Sequence, residues 1–468
     1  MVPRLLRRGA RTVAGWSPDE RDAVLYSASA LFAVITIRAS GIPLYRQWGE
    51  LAVGPYALAA LASAFMARRH RSGSHPRRRA SDPLGSGPVP APAGPTEGAE
   101  GWHWNTSRTA IFLLVLVGAT LMPLSLEVLW RTDSGSSTHV QPEVQVIEQS
   151  GDRVASGQSP YQKINPAKPP PVAQGEPSYD AFNPYLPLMS LFGLARSTHA
   201  SPRLTDARVA FSLLTILLAV GALGMTRGRN SPRQVTLQSM TVLPTAALPL
   251  ATGGDDVPVA AIMLLGLVLL QRRRPLLAGL VLGVSASMKI TAWPLAVIAI
   301  LVVTDREGER TGRARLLFAG GLAGVMIPAV LPSALNNFSA FVQNVVRFPL
   351  GLAGVTSPAA SPLLGHVFVT AFPSFHEVFT VAIVVLGSIA LGWALIRRTP
   401  RTPSNVSRLL GWAMAVAICL APATRLGYML YPVDFFIWAW LLHSEELAEG
   451  RNRIGSEADV DEVPAAVA

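Results

Sequence analysis

The feature that most constrains this chain is the grouping of its apolar residues into runs near the length of about 20 that a helix needs to cross a hydrocarbon layer. Arginines and lysines gather between the runs instead of alternating within them. In lipid, every backbone polar group must find a partner inside the protein, so runs of this kind predict membrane-spanning helices. Apolar residues make up 50% of the chain and charged residues only 15%, which excludes an ordinary water-soluble domain. The sequence therefore predicts an all-α polytopic membrane protein. A net charge of +11 would suggest a nucleic-acid partner in a soluble chain. Here the basic residues flank the apolar runs as topology signals, which excludes that class. The one cysteine, Cys419, lies within an apolar run, so neither an intrachain disulfide nor a thiolate metal cluster is available.

Spans are expected at 23–42, 51–66, 107–130, 207–225, 235–250, 257–270, 316–330, 378–396, 409–420 and 428–442. The segment 275–304 is too long for one simple span, and Lys289, Thr291 and Pro294 interrupt it, so it reads as two short helices turning at Lys289. This gives about twelve transmembrane helices with both ends on the cytoplasmic side, because the basic loops then all face inward. The expected organisation is a basic segment and two-helix hairpin over 1–66, a disordered cytoplasmic linker over 67–106, a main helical domain over 107–443 and a disordered tail over 444–468. The hairpin suggests no chemistry of its own.

A long polar segment, 131–206, separates two apolar runs and forms a large extracytoplasmic loop. The same side collects Glu143, Glu148, Asp180, Tyr185, Asp255, Asp256, Lys289, Asn336, Asn337, Arg347 and Arg425. Acids, cations and aromatics converging from separate loops on one face mark a candidate site more readily than a set of helix anchors. A carboxylate and cations at a membrane surface suit transfer of a sugar from a lipid-linked phosphate donor. The carboxylate takes the acceptor proton, and the cations hold the departing phosphate.

Several segments carry a resemblance: PEVQVIEQSGDRVASGQSPY, FNPYLPLMSLFGL, ATGGDDVPVAAIMLLGLVLLQRRRPLLAGLVLGVSASMKITAWPL, VVRFPLGLAGVTSPAASPLLGH and TRLGYMLYP, in this order. The region from 131 to about 440 resembles glycosyltransferase family 87, actinobacterial membrane enzymes of the GT-C class similar to polyprenol-phosphate-mannose-dependent mannosyltransferases. The resemblance implies a GT-C-like helical bundle in the plasma membrane and an inverting transfer at its extracytoplasmic face. It also implies a polyprenyl-phosphate-linked sugar donor, a glycolipid or glycan acceptor, membrane lipids as surroundings and no nucleic acid. It places the catalytic acid in the first large outer loop, usually as an aspartate; the matching position here is Glu143, with Glu148 and Asp180 as alternatives.

Arg425, Lys289 and Arg347 are the candidates for the donor phosphate, since a guanidinium offers a forked pair of donors and an ammonium a point charge. Tyr185 and Trp293 are candidates for stacking on a sugar or an isoprenoid, with membrane-interface anchoring as the blander role. Asp255 and Asp256 are candidates to orient the acceptor, and such a pair also suits a divalent cation. The commoner role of adjacent aspartates here is to cap the helix that starts near Val257. No cofactor is expected. A transporter or flippase of a lipid-linked sugar is the alternative function, and it calls for inverted repeats that the sequence does not show.

Overall fold

The computed structural model describes residues 16–73, 105–135, 138–165, 178–198, 200–355 and 358–461. The expected basic start, most of the linker (74–104) and the last residues of the tail (462–468) lie outside the described residues. Within them the chain is helical, and one isolated bridge between Ala360 and Thr424 is the only β pairing. The helices are α1 (Pro18–Ala39), α2 (Pro43–Gly73), α3 (Thr106–Ser134, with a π turn at Leu116–Leu121), α4 (Pro142–Ala155), α5 (Ala207–Gly224), α6 (Asn230–Thr241) and α7 (Pro244–Thr252). They continue with α8 (Asp256–Gln271), α9 (Pro275–Ala286), α10 (Ile290–Val302, partly 3-10), α11 (Gly312–Asn336), α12 (Leu364–Ala371), α13 (His376–Arg397), α14 (Pro403–Leu420) and α15 (Leu430–Asp461).

Seven helices among the described residues are long and apolar enough to cross a membrane, so the chain is a multi-pass membrane protein. The other expected crossings fall on shorter pieces. The run expected at 235–250 is divided into α6 and α7, because Pro244 forces extended backbone on Leu243 (φ −73°, ψ 155°). The segment 275–304 breaks at Lys289 into α9 and α10, as the sequence predicts. Helix α8 is buried on nearly all sides, which suits a sequence that is apolar all round. At about 24 Å it is shorter than a bilayer core. A helix enclosed by neighbours does not need to span lipid by itself.

Helix α1 starts from a capping box in which Ser17 and Glu20 satisfy each other's backbone N–H groups. It pairs with α2, and the hairpin is bound to the bundle: Trp48 Nε1 donates to Ala119 O at 2.9 Å, and Tyr56 Oη donates to Val242 O at 2.5 Å. At the opposite end Arg108 bridges Asp22 and Gln234, joining α1, α3 and α6. Helix α15 differs from expectation, since it runs to Asp461 through residues that the sequence places in a disordered tail. That stretch is rich in Glu, Ala and Arg, which extend a helix readily once a buried turn has nucleated it.

Close backbone contact fixes α9 against α11. A Cβ on Gly279 would lie 2.1 Å from Phe318 O, so only glycine permits this approach. Gly320 of α11 faces open space. Gly279→Val is therefore expected to cost about 1–3 kcal/mol of stability. Gly320→Ala is expected to leave the unfolding temperature unchanged or slightly raised, and thermal unfolding in detergent reads both.

Candidate active site

Two ion pairs from distant parts of the chain lie within each other's electrostatic reach at one end of the bundle. The first joins Glu143, in the first turn of α4, to Arg425. The second joins Lys289 Nζ to Asp255 Oδ2 at 2.9 Å and to Asp256 Oδ1 at 2.5 Å. The Glu143 charge acts on Asp255 and on the hydroxyls of Tyr185 and Tyr428. Tyr428 feels both pairs, because Lys289, Asp256, Arg425 and Glu143 all act on it.

Local structure explains how these side chains arrive. Arg425 sits in extended backbone held from both sides: Ser361 N–H donates to Thr424 O at 2.9 Å, and Leu426 N–H donates to Ser361 Oγ at 3.0 Å. The 3-10 turn that follows, Leu426–Met429, leads into α15. Tyr431 Oη donates to Asp256 Oδ1 at 2.6 Å and lies 2.8 Å from Thr291 Oγ1. Lys289 is delivered by the break between α9 and α10. That turn is pinned by Leu186 N–H donating to Met288 O (2.9 Å) and Leu188 N–H donating to Ser287 O (3.0 Å). The same strap sets the buried Tyr185 ring 5.5 Å from Lys289 Nζ, within cation–π range.

Helix α4 is fixed by an ionic network on its other side. Arg131 donates to Glu148 through both terminal nitrogens (3.0 and 2.7 Å) and to Asp206 Oδ2 at 2.7 Å. Arg208 forks onto Asp206 with two bonds of 2.9 Å. Ala207 N–H donates to Glu148 Oε1 at 3.2 Å. Burial alone would raise the Asp206 carboxyl, but Arg208 and Arg131 hold it down at about 2. Both Glu148 oxygens are thus engaged inside the protein. Glu143 stands five residues earlier, about 140° around the helix. Its Oε1 meets Arg425, whereas its Oε2 is buried without a hydrogen-bond partner.

The start of α4 is held from outside the helix. Gln141, at the cap position, makes no side-chain cap bond; its amide donates to Thr252 Oγ1 (2.6 Å) and to Tyr45 Oη (3.1 Å). Gly253, at φ +117°, ends α7 against α4, and a Cβ there would lie 2.3 Å from Val144 Cγ2. That contact brings the Asp255–Asp256 pair to the Glu143 end of α4.

The sequence-predicted residues are distributed as follows. Glu143, Arg425, Lys289, Asp255, Asp256 and Tyr185 converge. Asp180 is buried in a 3-10 turn on the flank, next to Tyr179, whose hydroxyl also feels Arg425 and Glu143. Glu148 belongs to the ionic network. Arg347 is exposed at the end of the π turn Val342–Arg347. Trp293 is 40% exposed and donates its indole N–H to Ala286 O at 2.8 Å, closing the break between α9 and α10. Asp255 occupies the cap position of α8 but makes no side-chain cap bond, so the aspartate pair serves Lys289 instead of the helix end. Tyr45, Tyr428 and Tyr431 escape the sequence reading. For the last two a signal was present, in the three-residue spacing of Arg425, Tyr428 and Tyr431 across a 3-10 turn.

Asp255 and Lys289 lie in segments between helices. Burial pushes Asp255 up to about 6, with Lys289 opposing the rise and Asp256 adding to it. Burial would lower the Lys289 ammonium, but Asp255 and Asp256 more than offset this and hold it above the usual lysine range. The ammonium occupies the position between two carboxylates that a divalent cation would otherwise take. Among the described residues no group of three or more His, Cys, Asp or Glu side chains is arranged to hold a metal.

The family model described as glycosyltransferase family 87 matches residues 184–441. The match includes Tyr185, Asp255, Asp256, Lys289, Arg425, Tyr428 and Tyr431, and it begins after Glu143. No curated protein matches the chain significantly.

Two outcomes are expected. In the difference spectrum of wild type minus Asp255→Asn, a protonated-carboxyl infrared band should grow as pH falls through about 6. Glu148→Gln should lower thermal stability by several kcal/mol, about 3–5 if Arg131 is left uncompensated in the interior.

Proposed function

Because the chain belongs to glycosyltransferase family 87 and is therefore a membrane glycosyltransferase, we propose that it moves a sugar from a polyprenyl-phosphate donor to a glycolipid or glycan acceptor, with inversion. Mannose is the sugar proposed. The observation that carries this reading is Glu143: a carboxylate with one oxygen on Arg425 and the other buried and unpartnered.

The proposed steps use this chain's own residues. The donor phosphate takes Arg425 from Glu143, since a guanidinium binds phosphate at least as well as carboxylate. Glu143 is then released as a base. The acceptor oxygen attacks the anomeric carbon and its proton passes to Glu143. The bond from that carbon to the phosphate oxygen breaks, and polyprenyl phosphate leaves with the electron pair. A phosphate departs as a stabilised anion and needs no acid to protonate it, so one carboxylate suffices, unlike the pair used in glycoside hydrolysis. Lys289 stands in support as an ammonium hydrogen-bond donor near the leaving group, held in place by Asp255 and Asp256, with Tyr431 bonded to Asp256.

The reading includes a site on the extracytoplasmic face of the plasma membrane, supported by the basic loops at the other helix ends. It also includes a GT-C-like bundle and a reaction without a metal, supported by the lysine between the two aspartates.

The test is transfer of radiolabelled mannose from polyprenyl-phosphate-mannose in membranes carrying the protein. Glu143→Gln is expected to lower the rate roughly 10²–10⁴-fold, the range for removal of a general base. Asp180→Asn is expected to retain most of the rate, and chelation with EDTA to leave it unchanged. Inactive wild-type protein would reject the donor, and full activity of Glu143→Gln would reject the base.

A further inference from the structure

The hairpin of α1 and α2 precedes every residue matched by the family model. Its anchors nevertheless seat the start of α2 at the site end of the bundle. Trp48 and Tyr56 are both fully buried with their polar atoms bonded to α3 and to the α6–α7 break. Within the first turn of α2, half-buried Tyr45 accepts a hydrogen bond from Gln141 Nε2 at 3.1 Å. Gln141 stands immediately ahead of α4, and Glu143 follows two residues later.

The contact has a specific mechanical role. The first N–H groups of a helix lack partners within it, so an uncapped first turn frays. Gln141 does not cap α4 with its own side chain. It is held instead by Tyr45 and by Thr252, which also accepts the Gln141 backbone N–H at 3.0 Å. The Tyr45 hydroxyl is the acceptor in its bond to Gln141 and keeps its own proton. It lies in the field of Glu143, Arg425 and Tyr428.

We propose that Tyr45 is a positioning residue for the transfer reaction: by holding Gln141 it fixes the first turn of α4 and so the reach of Glu143 toward the acceptor hydroxyl. The inference rests on the glycosyl-transfer reading above and makes the N-terminal hairpin a working part of the site. A packing role alone would be met by any aromatic ring, so the hydroxyl is the informative atom.

The experiment uses the full chain in membranes with polyprenyl-phosphate-[¹⁴C]mannose, and compares wild type, Tyr45→Phe, Gln141→Leu and the double variant. Tyr45→Phe is expected to lower kcat roughly tenfold, as small displacements of a reacting group do. Its donor KM should stay within about twofold and its melting temperature should stay near that of wild type, because the loss is of alignment and not of ground-state binding. The double variant should be no slower than the slower single variant, because both remove one link. Wild-type kcat in Tyr45→Phe would overturn the proposal and leave the transferase reading intact. So would a loss that only follows the amount of folded protein, or losses that multiply in the double variant. Inactive wild-type protein would instead overturn the donor assignment, and this inference with it.

Discussion

The buried network of Arg131, Glu148, Asp206 and Arg208 is the interaction on which the site depends. None of the four residues is more than 5% exposed, and they come from α3, α4 and the start of α5. Ions removed from water are costly unless each is fully paired and hydrogen-bonded. Here Asp206 is shared between two guanidiniums, and Glu148 also accepts the Ala207 N–H. Arg208 reaches onward to His139 O at 2.8 Å, tying the segment just before α4 to the same centre. An amphipathic helix inside a polar loop could otherwise lie in several orientations. The network selects one, with Glu148 on Arg131 and Glu143 on Arg425.

The second organising principle is the pairing of buried cations with carboxylates. Arg425 is paired with Glu143, and Lys289 with two aspartates, so each of these buried cations has an opposite charge beside it. A donor phosphate would change the first pair more than the second. Arg425 has one carboxylate partner and a backbone pinned at Thr424 and Leu426, so its guanidinium can change partner while its main chain stays fixed. Lys289 is held by two carboxylates, with the Tyr185 and Tyr428 rings nearby. Exchange at Arg425 over a stationary Lys289 would couple donor binding to release of the base.

Much of this arrangement is legible in the sequence because it follows from local rules. Apolar run length predicts the spans, and Lys289 within an apolar segment predicts the break between α9 and α10. The carboxylate at Glu143 is visible from its segment and its family resemblance. What escapes depends on contacts between distant elements. Glu143 and Glu148 look alike in the chain, and only Arg131 and Asp206 distinguish them. Asp255 and Asp256 read as a helix cap until Lys289 is placed beside them. Tyr45 belongs to a hairpin with no chemical pattern, and its position follows from the Trp48 and Tyr56 anchors farther along the same helix.

The central claim is that donor phosphate displaces Glu143 from Arg425. The most direct measurement is a cryo-electron microscopy structure of the full chain in lipid nanodiscs with a non-transferable polyprenyl-phosphate-sugar analogue. The account predicts the phosphate on the Arg425 guanidinium, with Glu143 released and turned toward the anomeric carbon. A phosphate bound elsewhere, with the Glu143–Arg425 pair intact and away from the sugar, would contradict it.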